Sequence, residues 1–147
     1  NWFTQMTEED WRAVMDCNLD GVWRVAKAGA NALMEAGKPG SIINIASITA
    51  KRPQYTIAAY AASKAALNML IRNLAIEHGR THKAGIVVGL HPGTVATDLS
   101  APFQAGVAPE KLFTPEHSAA ALLSVIDGLE PADSGGVFAW DGQRIPA

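Results

Sequence analysis

Cysteine is almost missing from this sequence. Cys17 is the only one in 147 residues, so no disulfide can form within the chain. Its ordinary reading is a small buried core residue. Charge is scarce as well: charged residues make up 18%, the net charge is −2, and no basic stripe is present. That balance argues against a nucleic-acid partner. No apolar run is long enough to cross a membrane, and no signal-peptide pattern stands in the first residues. A reducing cytoplasm is the expected setting. Repeats, low-complexity tracts and linker-like stretches are also missing, so 1–147 reads as a single domain. What remains is 48% hydrophobic residues, a composition able to bury a real core.

Thr7 followed by Asp10 in "TEEDW" predicts a capped helix start with acid in its first turn. Trp11, Val14, Met15, Leu19, Val22, Val25 and Ala26 then recur at helical spacing, and the early Trp and Met residues read as core. This long helix should end near Gly37, in "GKPG". "SIINIAS" is apolar on both faces, as a buried parallel strand is. Past a loop through "KRPQYT", an alanine-rich helix is expected from Ala58 to His78, stopped by Gly79. "GIVVGL" predicts a second strand, and the stretch after "HPG" reads as irregular. Thr114 and Pro115 open a last helix that Gly128 closes, and "GGVFAWDG" supplies a third strand. Helices alternating with strands imply an α/β fold: a three-layer, Rossmann-like parallel sheet with helices on both faces.

The stretch "AAYAASKAAL" interrupts its alanines with Tyr60, Ser63 and Lys64 only. Residues four apart share a helix face, so Lys64 falls near the Tyr60 phenol. A free phenol loses its proton near pH 10, and a neighbouring cation lowers that value. Such a pair suits general acid–base work on a carbonyl or an alcohol, although Tyr and Lys also fall four apart by chance in many helices. The context adds weight. Ser47 ends a strand at the carboxyl edge, where open α/β sheets bind ligands. Its hydroxyl could stabilise charge on a substrate oxygen. Asn18 is a poor helix former in mid-helix and could hold a water or a backbone group. Pro92 and Gly93 leave backbone bare after the second strand.

With Ser47 thirteen positions before Tyr60 and Lys64 four after it, the chain resembles the short-chain dehydrogenase/reductase family in its classical form. The resemblance implies that Tyr60 is the catalytic acid/base. It implies that Lys64 lowers the Tyr60 pKa and holds the nicotinamide ribose, and that Ser47 polarises the substrate. Asn18 would support a water-linked proton path to Lys64. "HPGTVATDL" resembles the family's proline–glycine segment, so Pro92, Gly93, Val95 and Thr97 would bind cofactor beside Tyr60 and Lys64. NAD or NADP would be the cofactor and a small carbonyl or alcohol the substrate. Residues 100–112 would form a short specificity lid. The two long helices, around Asn18 and Lys64, would build a homodimer or homotetramer. The ending is similar to a C-factor-like branch.

The family's opening strand, glycine-rich turn and helix, which cradle the dinucleotide phosphates, have no counterpart: "GKPGS" has two glycines and leads into a strand. "NWFTQM" leads within a few residues into a helix start, as in a chain entered midway. The expectation is the later half of a longer enzyme, with poor cofactor affinity of its own and an unpaired edge on the strand "IINIA". A truncated or non-catalytic binding protein is the alternative. Two other readings are weaker. Ser47, Asp98 and His117 follow the chain order of an α/β hydrolase, but Ile45 and Thr49 stand where a nucleophile elbow needs glycine. His78 and His82 read as solvated groups at a helix end, without a third metal ligand. No metal site is expected.

Overall fold

The computed structural model describes residues 2–52 and 54–146; Asn1, Ala147 and Pro53, the last within the expected loop, lie outside them. Thr7 caps the first helix as its spacing predicts. Its hydroxyl accepts from the Asp10 backbone N–H at 3.1 Å, and the Asp10 carboxylate accepts from the Thr7 N–H at 3.1 Å. Helix α1 (Glu8–Met15) and helix α2 (Val22–Ala36) run as one rod, joined by a wide π-type turn over Asp16–Gly21. Gly37 ends the rod with φ 59°, in the left-handed region where glycine costs least.

Strand β1 (Ser41–Ile45), strand β2 (Ile86–His91) and a third, β5 (Val137–Ala139), form the main sheet in the order β1-β2-β5, all parallel. Ser41 pairs with Ile86 and Ile45 with Leu90; His91 pairs with Ala139. Helix α3 (Ala58–Thr81) and α2 cover one face, where Leu67, Ile71 and Val87 pack with Val22, Ile42 and Leu74. Helix α4 (Pro115–Asp127) covers the other, where Ile86, Val88, Leu90 and Phe138 meet Leu122, Val125 and Ile126. Alternate residues of β2 serve opposite faces, as the two-residue strand period requires. The α/β three-layer architecture with a parallel sheet is therefore present.

Several local expectations are corrected. Helix α3 runs through Gly79 to Thr81, with His82 as its cap. His78 is not solvated: it is 4% exposed, and its ring stacks on that of His82 with centroids 5.0 Å apart. The room comes from Gly85, where a Cβ would fall 2.6 Å from His78 Nε2. Among the described residues no group of three or more side chains could hold a metal ion. Cys17, in the π-type turn, is exposed and not core. Trp11, Trp23 and Met34 are also exposed. The α1–α2 rod buries only its small residues Ala26 and Ala30 fully; Val14, Met15, Leu19, Val22 and Leu33 are half-buried, and Trp11, Trp23, Val25 and Met34 stay outside.

The stretch read as irregular contains a small parallel ladder, β3 (Thr94–Val95) with β4 (Leu112–Phe113). One edge of β1 has no strand partner among the described residues, and Ile45 on it is 52% exposed. No helix among the described residues is long and apolar enough to cross a membrane.

Candidate active site

Tyr60, Ser63 and Lys64 lie in the first two turns of α3, against the carboxyl end of β1. Lys64 is 8% exposed, and its ammonium donates to the Ile45 carbonyl at 2.9 Å. The same Nζ stands 5.7 Å from the centroid of the Tyr60 ring, within reach of a cation–π attraction. Burial pushes the Lys64 pKa below its ordinary value, and an electrostatic interaction with the nearby Cys17 partly opposes this. Tyr60 is half-buried, and its hydroxyl has no hydrogen-bond partner among the described residues.

Ser47 follows β1 and caps the short 3-10 turn Ile48–Ala50. Its Oγ accepts from the Thr49 N–H at 3.2 Å and lies 2.8 Å from Thr49 Oγ1. Asp98 and His117 are exposed, and no hydrogen bond among the described residues joins them to Ser47. The hydrolase arrangement is therefore not formed. Asn18 is on the π-type turn and reaches α3: its Nδ2 donates to Ser63 Oγ at 3.3 Å, and Ser63 Oγ donates to the Tyr60 carbonyl at 2.7 Å. Asn18, Tyr60 and Lys64 thus meet around one turn of α3, and Lys64 ties that turn to the strand leading to Ser47.

The other predicted segment leaves β2. The Pro92 carbonyl accepts from Ser118 Oγ, in the first turn of α4, at 2.9 Å. Gly93 has φ 79°, and a Cβ there would fall 2.5 Å from the Phe113 ring. Phe113 in turn meets Trp140 edge-on at 4.6 Å, so the turn rests on an aromatic floor. The Val95 carbonyl accepts from Ser100 Oγ, and the Thr97 N–H donates to the same oxygen at 3.2 Å. Residues 100–112 hold two 3-10 turns, Ala101–Phe103 and Pro109–Lys111, with Phe103 exposed.

A family model described as short chain dehydrogenase matches residues 1–108. The chain belongs to that family. Among its relatives, the short chain dehydrogenase/reductase astE of Aspergillus oryzae is 40% identical over 97 residues, covering 65% of this chain and 36% of astE. An uncharacterized oxidoreductase of Schizosaccharomyces pombe is 32% identical across 95% of this chain and 59% of its own length. Among solved structures, an NADPH-bound carbonyl reductase from chicken fatty liver superposes with TM-score 0.82 and 28% identity, over 100% of this chain and 61% of that one. A gluconate 5-dehydrogenase from Burkholderia cenocepacia, in complex with NADP and tartrate, gives 0.79 and 28%, over 97% and 58%. The chain thus spans from about a third to about three-fifths of the length of these proteins.

Some polar groups around the site were not legible in the sequence. Thr49, Ser100 and Ser118 each hydrogen-bond a predicted site residue, Ser47, Val95 and Pro92 respectively, and the linking role of Ser63 between Asn18 and Tyr60 was equally hidden. His91 ends β2 beside Pro92 with its Nδ1 buried and unpartnered. Burial, and secondarily the charge of Arg52, lower its pKa. The "H" of "HPG" was the only available signal, and nothing in one sequence says that the ring is buried.

Proposed function

We propose that this chain carries the reacting end of an NAD(P)-dependent oxidoreductase that interconverts a carbonyl and a secondary alcohol. The observation that carries the reading is the Tyr60 hydroxyl, left without a partner, with a buried lysine ammonium over its ring. An ammonium has three N–H donors, and Lys64 gives one to the Ile45 carbonyl, which leaves two for the hydroxyls of a ribose or a water. A bound nicotinamide supplies or accepts the hydride. Tyr60 gives its proton to the developing alkoxide, or takes it back in oxidation. Lys64 stabilises negative charge that develops on the phenol oxygen. Ser47, its Oγ held by Thr49, donates to the substrate oxygen and fixes it beside Tyr60.

The left-handed Gly93, packed on Phe113 and Trp140, turns the chain past the end of β2, and the backbone of Pro92, Val95 and Thr97 beyond it would meet the nicotinamide amide. The carbonyl reductase bound to NADPH and the gluconate dehydrogenase bound to NADP support that choice of cofactor class. Residues 100–112 would act as the substrate lid, and 1–147 as one unit, with the ending placed in the C-factor-like branch. Exposed Trp23 and Val25 on α2 and Met69 and Ile76 on α3 support self-association through these helices. The alternative, a non-catalytic relative, would need the Lys64 bond to Ile45 but not a free phenol hydroxyl beside it.

Tyr60→Phe in the enzyme tests the reading. Turnover of NAD(P)H with a panel of ketones and aldehydes should fall by about 10²–10⁴-fold, the usual weight of general acid–base catalysis. Calorimetric titration with the same cofactor should change little. Near-normal turnover in the variant would sink the assignment.

A further inference from the structure

Thr56 is the only non-glycine residue with a left-handed backbone among the described residues, at φ 66°. A β-branched residue is strained there, and such strain persists only where its surroundings impose it. Here they do. Ile57 on one side is buried and leads into α3 beside Ala59, which is 3% exposed. Tyr55 on the other side is 83% exposed. Thr56 is the bend between an anchored residue and an outward one, and its Oγ1 braces the bend by donating to the Tyr55 carbonyl at 2.6 Å. The Tyr55 ring then meets Trp2, from the segment before α1, with centroids 6.0 Å apart and planes inclined at 59°. Rings at that angle do not cover each other, and with Trp2 57% exposed both keep a free face.

The pair stands on the strip of chain between the two groups that would hold the substrate oxygen. Residues 51–57 lead from the 3-10 turn that Ser47 caps to the first turn of α3, which carries Tyr60, and that 3-10 turn packs on α3. We propose that Tyr55 and Trp2 are specificity-determining residues, whose free faces receive an aryl substituent of the carbonyl substrate. This rests on the dehydrogenase reading of the same site. Two exposed aromatic rings brought together from distant parts of the sequence, one of them at the cost of a strained backbone, serve no core. A third ring gains tilted or offset contacts with both, whereas an alkyl group of the same size gains burial alone. The reaction balances as before: the nicotinamide hydride goes to the carbonyl carbon, the Tyr60 proton to its oxygen, and NAD(P)H leaves oxidised.

Both side chains are exposed, so Tyr55→Ala and Trp2→Ala should preserve the fold. The test compares them with wild type in the enzyme, on acetophenone and on cyclohexyl methyl ketone, which share one skeleton and differ in aromaticity. The ratio of kcat/KM for the aryl ketone to that for the alkyl ketone should fall by about three- to tenfold in either variant, the weight of an aromatic contact. The fall should come through a higher KM for acetophenone, with the cofactor Kd unchanged. Tyr55→Phe, which keeps the ring, should restore the ratio. Independent of turnover, acetophenone added with the oxidised cofactor should shift the Trp2 indole N–H resonance in the wild type and not in Tyr55→Ala. Equal losses on both ketones, no loss on either, or a silent Trp2 resonance would each overturn the proposal. So would a lower sedimentation mass in Tyr55→Ala, which would make the rings a contact between copies of the chain. Tyr60→Phe runs beside them: if it stays active, the dehydrogenase reading fails, whereas the Trp2 resonance still decides whether the rings hold an aryl group.

Discussion

Removing an ammonium from water costs several kcal/mol unless other groups replace its hydration, and Lys64 is 8% exposed with one carbonyl and one aromatic face beside it. Burial lowers its pKa in the fold relative to the unfolded chain, where 10.5 applies. Between those two values the unfolded state binds more protons. The charged lysine therefore opposes folding at neutral pH, and the opposition fades only as pH rises through the lowered value. Lys64→Met should thus melt no lower than the wild type, and by up to a few degrees higher. Turnover should nevertheless drop by about 10²-fold or more. Thermal denaturation beside a turnover assay checks both, and a clear fall in Tm would contradict the argument. The spacing of Tyr60 and Lys64 was legible in sequence because i and i+4 always meet on a helix. The bond from Lys64 to Ile45 was not, since it depends on how α3 leans on β1. Cys17 and His78 were misread for a related reason: hydrophobic periodicity names a face but not what covers it.

At the scale of elements, the turn after β2 is the most constrained. Gly93→Ala would put a Cβ in the left-handed region and 2.5 Å from the Phe113 ring, so ring and backbone would both have to move. The expected loss is about 1–3 kcal/mol of unfolding free energy, measured by urea denaturation, together with weaker nicotinamide binding. A variant as stable as the wild type would mean that the aromatic floor yields freely. Helix starts at Thr7 and Thr114, and the stop at Gly37, were readable because caps are local chemistry. Gly79 was misjudged as a stop because the tertiary seat of His78 on Gly85 carries the helix past it. The β3–β4 ladder was invisible, since its two strands are far apart in sequence and only two residues long.

For the whole molecule, two histidines, each with its Nδ1 buried and unpartnered, tie stability to acidity. Burial lowers the pKa of both His78 and His91. Their neutral forms therefore support the fold fully above the ordinary imidazole value of about 6.5, and the support is lost as pH falls below it toward the lowered values. The slope should reach at most about 1.4 kcal/mol per pH unit for each ring. Urea midpoints between pH 7.5 and 5 should decline, and less so in His78→Gln; a flat profile would refute the coupling. The α/β class was legible from alternation alone, whereas the strand order was not, because nothing local tells β1 and β5 that both will pair with β2. That order has a consequence for how the sheet holds together. Both outer strands hang on β2 and on nothing else in this sheet among the described residues, so a proline in place of Val88 would part β1 and β5 at a single stroke.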